Sequence, residues 1–239
     1  MKDLFGKAIL DFQTNNSPEN LITETTISEA DEMEVAYLFR SFDQMPKLEK
    51  KALLLSRGKI LDVGCGAGSH SLYLQENGFD VTAIDISKNA IEACQLRGLK
   101  NAKVLNVLDL ASDLQQNEKF DTIILLMNGT GIFGTLAATS KYLQKIKALL
   151  QPNGQVLIDS SDIIYMFDQE DDGSYLVPTN QYYGELTFTI SYKNETEIAF
   201  PWLYLDYNTL QNVAHANGFD CELVLEGKHF DYLAKLTIL

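Results

Sequence analysis

Short runs of apolar residues alternate with segments of helical periodicity through the middle of the chain. Such runs predict buried strands, and the amphipathic segments between them predict covering helices. The predicted strands span residues 59–63, 80–85, 102–107, 120–127 and 155–159. Helices are predicted over residues 69–78 and 89–97, and a third carries Tyr142, Leu143, Ile146, Leu149 and Leu150 on one face. Repeated strand–helix units of this length indicate a parallel sheet with helices on both faces.

The C-terminal part of the chain departs from this rhythm. Residues 186–192 and 198–203 are rich in β-formers, and residues 206–218 predict a capped helix. Residues 219–226 and 230–239 predict a hairpin that turns near Gly227. We therefore predict an α/β, Rossmann-like fold: a seven-stranded, mostly parallel sheet with an antiparallel C-terminal hairpin and a small β insertion.

The N-terminal segment predicts a helical lid. Residues 1–27 are polar and predict an irregular loop, whereas a helix is expected to begin at Ser28, with Met33 and Tyr37 on one face. A second helix is expected between Pro46 and Gly58. We interpret residues 1–57 as a cap and residues 58–239 as the main part of the same domain, with 161–204 as an insertion on the substrate side.

Composition narrows the classes of function. The formal net charge of −14 repels polyanions and no basic patch offsets it, so nucleic acid is not expected as a partner. The densest basic stretch, residues 47–57, contains Glu49 and is interpreted as a solvated helix face. No apolar run approaches the roughly 20 residues of a membrane span, and the first residues lack a secretion signal. Three widely spaced cysteines argue against a disulfide framework or a zinc site and favour a cytoplasmic location.

A glycine-rich turn carries the clearest chemistry. Residues 64–68, Gly-Cys-Gly-Ala-Gly, follow a predicted strand and open a helix, where glycine lets the backbone approach a ligand closely. Asp62 precedes the turn and can accept from a ligand amine, and Asp85 ends the next strand, where it suits two ribose hydroxyls. Asp109 follows the third strand, where it can accept from an adenine amine. Any one of these residues alone is typical of ordinary strand ends and turns; their order together predicts a nucleoside-bearing ligand.

Residues 60–68 resemble the first motif of the class I S-adenosylmethionine-dependent methyltransferases, in particular their small-molecule, type 11/12-like members. Residues 81–87, 109–110 and 120–129 are similar to the later motifs of that family. The resemblance implies S-adenosylmethionine as the cofactor, with residues 64–68 around its methionine part and the later motifs around ribose and adenine. Arg40 is expected to pair with the cofactor carboxylate, or else to be a surface residue. The expected cofactor-binding residues are Arg40, Asp62, Gly64, Cys65, Gly66, Gly68, Asp85, Ile86, Asp109, Leu110 and Asn128.

The residues that would bind the methyl acceptor are less clear from the sequence than those that would bind the donor. Residues 161–204 hold 10 of the 24 aromatic residues and a local charge of −7, which suits a small neutral or cationic acceptor. Packing of the inserted hairpin explains the same aromatics. The sequence at 127–130, Met-Asn-Gly-Thr, lacks the Pro-Pro motif of many enzymes that methylate amino groups on bases or glutamine. The expected substrate-binding residues are Tyr37, His70, Asp159 and Trp202.

The predicted reaction is in-line transfer of a methyl group from a sulfonium, for which positioning is the main requirement. An oxygen acceptor needs a base, and His70, Asp159 or Asp162 are the candidates. One alternative is a nicotinamide-dependent oxidoreductase, whose fingerprint places its third glycine at position 69, where this chain has Ser69. A second alternative is a sensor that binds the cofactor without turnover.

Overall fold

The computed structural model describes residues 2–110 and 119–239. In this part of the chain the helices are α1 (Leu4–Thr14), α2 (Lys47–Leu55), α3 (Ser69–Glu76), α4 (Lys88–Leu96), α5 (Leu136–Leu149) and α6 (Tyr207–Ala216). The strands are β1 (Leu21–Thr25), β2 (Ser28–Met33), β3 (Lys59–Val63), β4 (Asp80–Asp85), β5 (Ala102–Val104), β6 (Phe120–Leu125), β7 (Leu150–Ser161), β8 (Glu185–Tyr192), β9 (Glu195–Thr196), β10 (Phe200–Leu203), β11 (Phe219–Glu226) and β12 (Asp231–Ile238).

The main sheet has seven strands in the order β11-β12-β7-β6-β3-β4-β5. The pairs from β7 to β5 are parallel, and β12 runs antiparallel to both β7 and β11. The bounds of β3, β4 and β11 agree with the predicted ones. The predicted α/β sheet with its antiparallel C-terminal hairpin is therefore confirmed.

Both faces of the main sheet are covered, because successive strand residues alternate between two apolar layers. Leu61 and Ile123 belong to the layer that also holds residues of α5 and α6. Their neighbours Ile60 and Ile124 belong to the opposite layer, with residues of α2 and α3. All four side chains are fully buried, so the middle strands are apolar on both faces and hold the loops at their carboxyl ends rigidly.

A second sheet joins the two ends of the sequence. Its order is β10-β8-β1-β2, with β9 paired to β8, so the N-terminal hairpin is completed by strands of the inserted segment. Leu21 of β1 packs with Ile190 and Tyr192 of β8 and with Leu4 and Ala8 of α1. Helix α1 thus lies between this sheet and helix α4, which belongs to the main domain.

The N-terminal prediction was wrong at two places. Residues 4–14, predicted as a loop, form α1, and residues 28–33, predicted as the start of a helix, form β2. Helical geometry follows β2 as two 3-10 turns, over Val35–Phe39 and Phe42–Gln44. Residues 28–33 form a strand because they pair with β1, which on its other side pairs with β8. Strand β8 begins more than 150 residues later, so this pairing is not visible in the local sequence.

No helix within the two described ranges combines the length and apolar character that crossing a membrane requires.

Candidate functional site

The candidate site lies where the order of strands in the main sheet reverses. From β3 the chain moves outward to β4 and β5 and then crosses back to β6 on the other side of β3. In open α/β sheets the crevice outside the carboxyl ends of the strands at such a point is where ligands bind. The glycine turn after β3, Asp85 at the end of β4 and residues 127–128 after β6 all lie at this edge.

The turn at residues 64–68 is held open by backbone hydrogen bonds. Gly64 N and Cys65 N both donate to Ile84 O, at 2.8 and 3.1 Å, which ties the turn to the end of β4. Gly66 has a φ of +51°, and a Cβ placed on it would have no atom of the described residues within 4 Å. A Cβ on Gly68 would instead lie 2.8 Å from Cys94 Sγ. The turn therefore presents bare backbone to open space at Gly66 and packs tightly on α4 at Gly68.

Asp85 is positioned by the same turn. Its Oδ2 accepts from Gly66 N and its Oδ1 from Ser87 N, both at 2.9 Å. Burial raises the pKa of the Asp85 carboxyl above its usual value, although these backbone donors oppose the shift. Each oxygen retains a lone pair for a further donor. Ile86 beside it is 58% exposed, which leaves an apolar surface next to a fixed carboxylate.

Three of the residues expected to bind the cofactor, Asp62, Cys65 and Leu110, have buried side chains. Asp62 is 2% exposed and accepts from Ser71 Oγ at 2.6 Å, and burial raises the pKa of its carboxyl. Leu110 is fully buried in the apolar layer, and Cys65 Sγ lies 4.0 Å from Cys94 Sγ under the turn. Leu110 and Cys65 therefore present only backbone to a ligand, whereas Asp109 is exposed at the end of a 3-10 turn.

A buried ionic network joins the cap to the glycine turn. Arg40 Nη2 lies 2.6 and 2.8 Å from the two carboxylate oxygens of Glu49, and Glu49 Oε2 lies 2.7 Å from His70 Nε2. Arg40 Nη1 donates to Tyr37 O, and its guanidinium carbon lies 3.4 Å from the centre of the Tyr37 ring. Within residues 2–110 and 119–239, buried Arg40 Nε has no hydrogen-bond partner, so one donor of this group remains available.

The three charged side chains of this network stabilise each other's ionised forms. Burial raises the pKa of Glu49, but hydrogen bonds and charges from His70 and Arg40 outweigh it and hold that pKa below its usual value. Burial lowers the pKa of His70, but Glu49, Asp62 and Asp159 outweigh it and raise that pKa. The interpretation of Glu49 as part of a solvated helix face was therefore wrong, because it is 4% exposed and pairs with two cations.

A cavity of about 260 Å³ lies beside this network, at the ends of β6 and β7. It falls just below the usual 300–1,000 Å³ of small-molecule pockets. Its described lining combines apolar side chains with three carboxylates and has no Lys, Arg or His. The lining residues are Tyr37, Pro46, Leu48, Glu49, Met127, Asn128, Asp159, Ser160, Ser161 and Asp231.

Asp159, near the end of β7, supports the backbone after β6, where Met127 both lines this cavity and packs in the same apolar cluster as Ala67 of the glycine turn. Its Oδ2 accepts from Met127 N at 3.0 Å and its Oδ1 from Gly129 N at 2.9 Å. Met127 and Asn128 have φ values of +67° and +61°, a conformation that is uncommon for residues with a side chain. The two hydrogen bonds from the Asp159 carboxylate thus hold a strained segment in place, as is common at functional sites.

Asn128 is turned toward the inserted sheet. Its Nδ2 donates to Leu203 O at 3.3 Å, and its Oδ1 accepts from Ser160 Oγ at 3.1 Å. Thr130 Oγ1 also donates to Leu203 O, at 3.0 Å. The Asn128 side chain therefore fastens β10 to the ends of β6 and β7 and lines the cavity, rather than extending along the glycine turn.

The four expected substrate-binding residues take different places. Tyr37 and Asp159 line the cavity, whereas His70 lies behind it and reaches the lining through Glu49. Trp202 packs so closely on Gly131 that any Cβ there would overlap its ring. Its ring also contacts Phe188 and Phe200, so these aromatics pack the inserted sheet.

Sequence reasoning missed Glu49, Ser160, Ser161 and Asp231 as lining residues. Glu49 carried a usable signal, because Leu53 lies four residues later on α2, so the carboxylate shares the buried helix face. Asp231 carried none, since only the pairing of β12 with β7 brings it opposite Ser161.

Known proteins share this fold and this sequence pattern. Residues 54–216, more than half of the chain, match the family described as "Methyltransferase domain". A Bacteroides fragilis S-adenosylmethionine-dependent methyltransferase, solved in complex with S-adenosylhomocysteine, is 45% identical with a TM-score of 0.90, covering 99% of this chain and 95% of that one.

Two curated relatives match shorter stretches. The Bacillus subtilis protein YqeM is 29% identical over 148 residues, and the ubiquinone biosynthesis O-methyltransferase of Rickettsia prowazekii is 28% identical over 106 residues. These alignments cover 56% and 44% of this chain but only 58% and 41% of the relatives. The reversal of strand order and the glycine turn beside Asp85 agree with the domain match and with the 45% identical methyltransferase. These two matches show that the chain belongs to the class I S-adenosylmethionine-dependent methyltransferases, whose cofactor is S-adenosylmethionine.

Proposed function

We propose that this protein transfers the methyl group of S-adenosylmethionine to a small-molecule acceptor bound in the 260 Å³ cavity. The observation that carries the proposal is the position of Met127 and Asn128. They line the cavity and lie two and three residues after the end of β6, which pairs with β3, the strand that precedes the glycine turn. Donor and acceptor sites therefore adjoin at one backbone segment.

The residues at the donor edge fit the cofactor. Bare backbone at Gly66 leaves room for the methionine part, and Asp85 offers one lone pair on each oxygen to a ribose diol. Ile86 supplies an exposed apolar side chain for the adenine ring. The free Nε of buried Arg40 is a cationic donor suited to the cofactor carboxylate.

When bound, S-adenosylmethionine supplies an electrophilic methyl group on a sulfonium. The chain has to align the acceptor with that group and exclude water, since an in-line displacement depends mainly on positioning. Asp159 fixes the Met127–Asn128 segment, and the Arg40–Glu49–His70 network fixes the cap against α3. We assign residues 1–57 as the cap and residues 161–204 as the insertion that together cover the acceptor.

The lining favours an acceptor without negative charge. Glu49, Asp159 and Asp231 contribute carboxylates, and the described lining offers no basic side chain to an anion. Glu49 is paired with Arg40 and His70, so repulsion of an anionic acceptor in this partly desolvated site comes from Asp159 and Asp231. A neutral or cationic small molecule fits both the charge and the volume of the cavity.

Calorimetry and a product assay test this proposal together. We expect S-adenosylhomocysteine to bind and NAD to bind weakly or not at all, whereas binding of NAD alone would favour an oxidoreductase. With S-adenosylmethionine, we expect S-adenosylhomocysteine to accumulate when small amines, thiols, phenols and carboxylates are supplied as a panel. Tight cofactor binding with no turnover across the whole panel would favour a sensor.

A further inference from the structure

Asp159 is the carboxylate of the cavity best placed to take part in the reaction. It is 8% exposed, lines the cavity, and extends from the end of β7 beside the strained segment that borders the donor edge. Both oxygens accept one backbone hydrogen bond, from Met127 N and Gly129 N. Since each carboxylate oxygen can accept more than one, a second acceptor position on each oxygen remains.

The surroundings of Asp159 destabilise its ionised form and so raise its affinity for a proton, which makes it a better base. Burial raises the pKa of the Asp159 carboxyl to about 6, with the charge of Glu49 adding to the rise, while the donors of Gly129 and Met127 and the charge of His70 oppose it. A catalytic base works best with a pKa near the working pH. The charged groups around it are Glu49 on α2, Asp231 on β12, His70 on α3 and Arg40 in the cap.

The other two candidate bases are less suited. His70 is held by Glu49 and does not line the cavity, and its raised pKa favours the protonated ring. Asp162 accepts from Ile164 N at 2.9 Å and from Tyr183 Oη at 2.7 Å and lines a separate cavity. Asp159 is therefore the candidate that combines position, free acceptor positions and contact with the acceptor cavity.

Resting on the proposed function, we infer that the acceptor is a small primary or secondary amine, bound as its ammonium ion, and that Asp159 removes its proton. The N–H proton moves to an Asp159 oxygen, and the freed nitrogen lone pair forms the new bond to the methyl carbon. The carbon–sulfur bond breaks, and its electron pair stays on sulfur. The methylated ammonium product keeps the charge of the substrate.

The pKa gap decides between an amine and an alcohol. An alkylammonium group resembles Lys, with a pKa of roughly 10.4. The equilibrium for proton transfer from it to a base of pKa about 6 is therefore unfavourable by a factor of about 10⁴. For a hydroxyl comparable to water, with a pKa of roughly 15.7, the same proton transfer would be unfavourable by a factor of about 10¹⁰. A phenol ionises as readily as an ammonium, but its phenolate would form beside the Asp231 carboxylate, whereas the ammonium ion is attracted by it.

The test uses aromatic probes of similar size that present different nucleophiles. Benzylamine, benzyl alcohol and benzyl mercaptan share one skeleton, and p-cresol and phenylacetate add a phenol and a carboxylate. We expect turnover with benzylamine, with kcat/KM falling below about pH 6 and level between about pH 7 and 8.5. A flat region shows that the reacting complex forms with the ammonium proton in it, on the nitrogen or on Asp159, because use of the free amine without that proton would raise kcat/KM about tenfold per pH unit over that range.

Asp159→Asn should lower kcat for benzylamine by about 100-fold or more and remove the acidic limb, while the affinity for S-adenosylhomocysteine stays within about twofold. Asp80→Asn, at the opposite end of the sheet, is the matched control and should keep wild-type rates. If Asp159→Asn does not fold, the wild-type pH profile still decides.

Turnover of the alcohol, thiol or phenol with none of the amine would overturn the inference and leave methyl transfer standing. Cofactor binding without turnover of any probe would overturn the proposed function as well.

Discussion

Glu49 Oε2 lies 2.7 Å from His70 Nε2, with 6% and 9% of the two side chains exposed. This contact joins α2 of the cap to the first turn of α3, which begins directly after the glycine turn. Arg40 completes the network from the other side of the Glu49 carboxylate. The cap is thus attached to the donor edge by buried charges rather than by apolar packing alone.

Glu49→Gln should destabilise the fold strongly. The substitution leaves Arg40 and His70 buried without a counter-charge, and breaking a buried ion pair in this way costs about 3–5 kcal/mol. Urea denaturation gives the change in the free energy of unfolding. Lys51→Gln, on the exposed face of the same helix, is the control and should change it by less than about 0.5 kcal/mol. Equal effects of the two substitutions would contradict the role given to Glu49.

The stability contributed by His70 should depend on pH. Because the folded-state pKa of His70 is raised above 6.5, its contribution is fully present below pH 6.5 and is lost as the pH rises through the folded pKa. Because the folded-state pKa of Glu49 is lowered from 4.5, its contribution is present above pH 4.5 and is lost on acidification through the folded pKa. The difference in unfolding free energy between the wild type and His70→Asn should therefore be largest between pH 4.5 and 6.5. A difference that stays constant up to pH 9 would rule out this linkage.

Asp85→Ala should weaken binding of S-adenosylhomocysteine by about 2–4 kcal/mol, because it removes charge-assisted hydrogen bonds to the ribose. It also frees Gly66 N, which donates to Asp85 at 2.9 Å. Asp80→Ala, at the other end of the same strand, is the matched control and should leave the affinity unchanged. Calorimetry measures both, and an Asp85→Ala affinity equal to that of the wild type would disprove the ribose assignment.

Gly6→Ala should destabilise the protein although alanine is the better helix former. A Cβ on Gly6 would overlap Ser87 Oγ, which caps α4 by accepting from Ala90 N at 2.9 Å. Overpacking of this kind costs about 1–3 kcal/mol, against a gain in helix propensity of about 1 kcal/mol. Thermal unfolding gives the sign, with Gln13→Ala on the same helix as the control. A stabilised Gly6→Ala variant would show that α1 is not packed tightly on α4.

The nucleotide-binding half of the fold follows from local sequence. Strands β3 and β4 are apolar runs bounded by Gly or Asp, and their bounds agree with the prediction. The N-terminal part could not be obtained in this way. The sequence Ser-Glu-Ala-Asp-Glu-Met of β2 favours a helix locally, and it becomes a strand because β1 is paired with distant β8. For α1 the signal was present, because Leu4, Ala8 and Ile9 have helical spacing.

In the candidate site, likewise, the donor edge could be predicted from local sequence and the acceptor cavity could not. Asp62 and Asp85 lie at the carboxyl ends of β3 and β4, and Gly66 lies in the turn after β3, so their shared edge could be predicted, although the burial of Asp62 could not. The acceptor cavity is assembled from the cap, β6, β7 and β12, which lie far apart along the chain. Pairing of these elements, rather than any motif, places Glu49 and Asp231 beside Asp159, and no local pattern contains that information.

The central claim is that methyl transfer takes place between the donor edge and the cavity lined by Asp159. The most direct measurement follows a deuterated methyl group from labelled S-adenosylmethionine into benzylamine by mass spectrometry, with S-adenosylhomocysteine quantified in the same sample. The account predicts one labelled methyl group on the amine nitrogen for each S-adenosylhomocysteine formed, and formation of both about 100-fold or more slower in Asp159→Asn. Bound cofactor whose label never reaches benzylamine or any of its matched probes would contradict it.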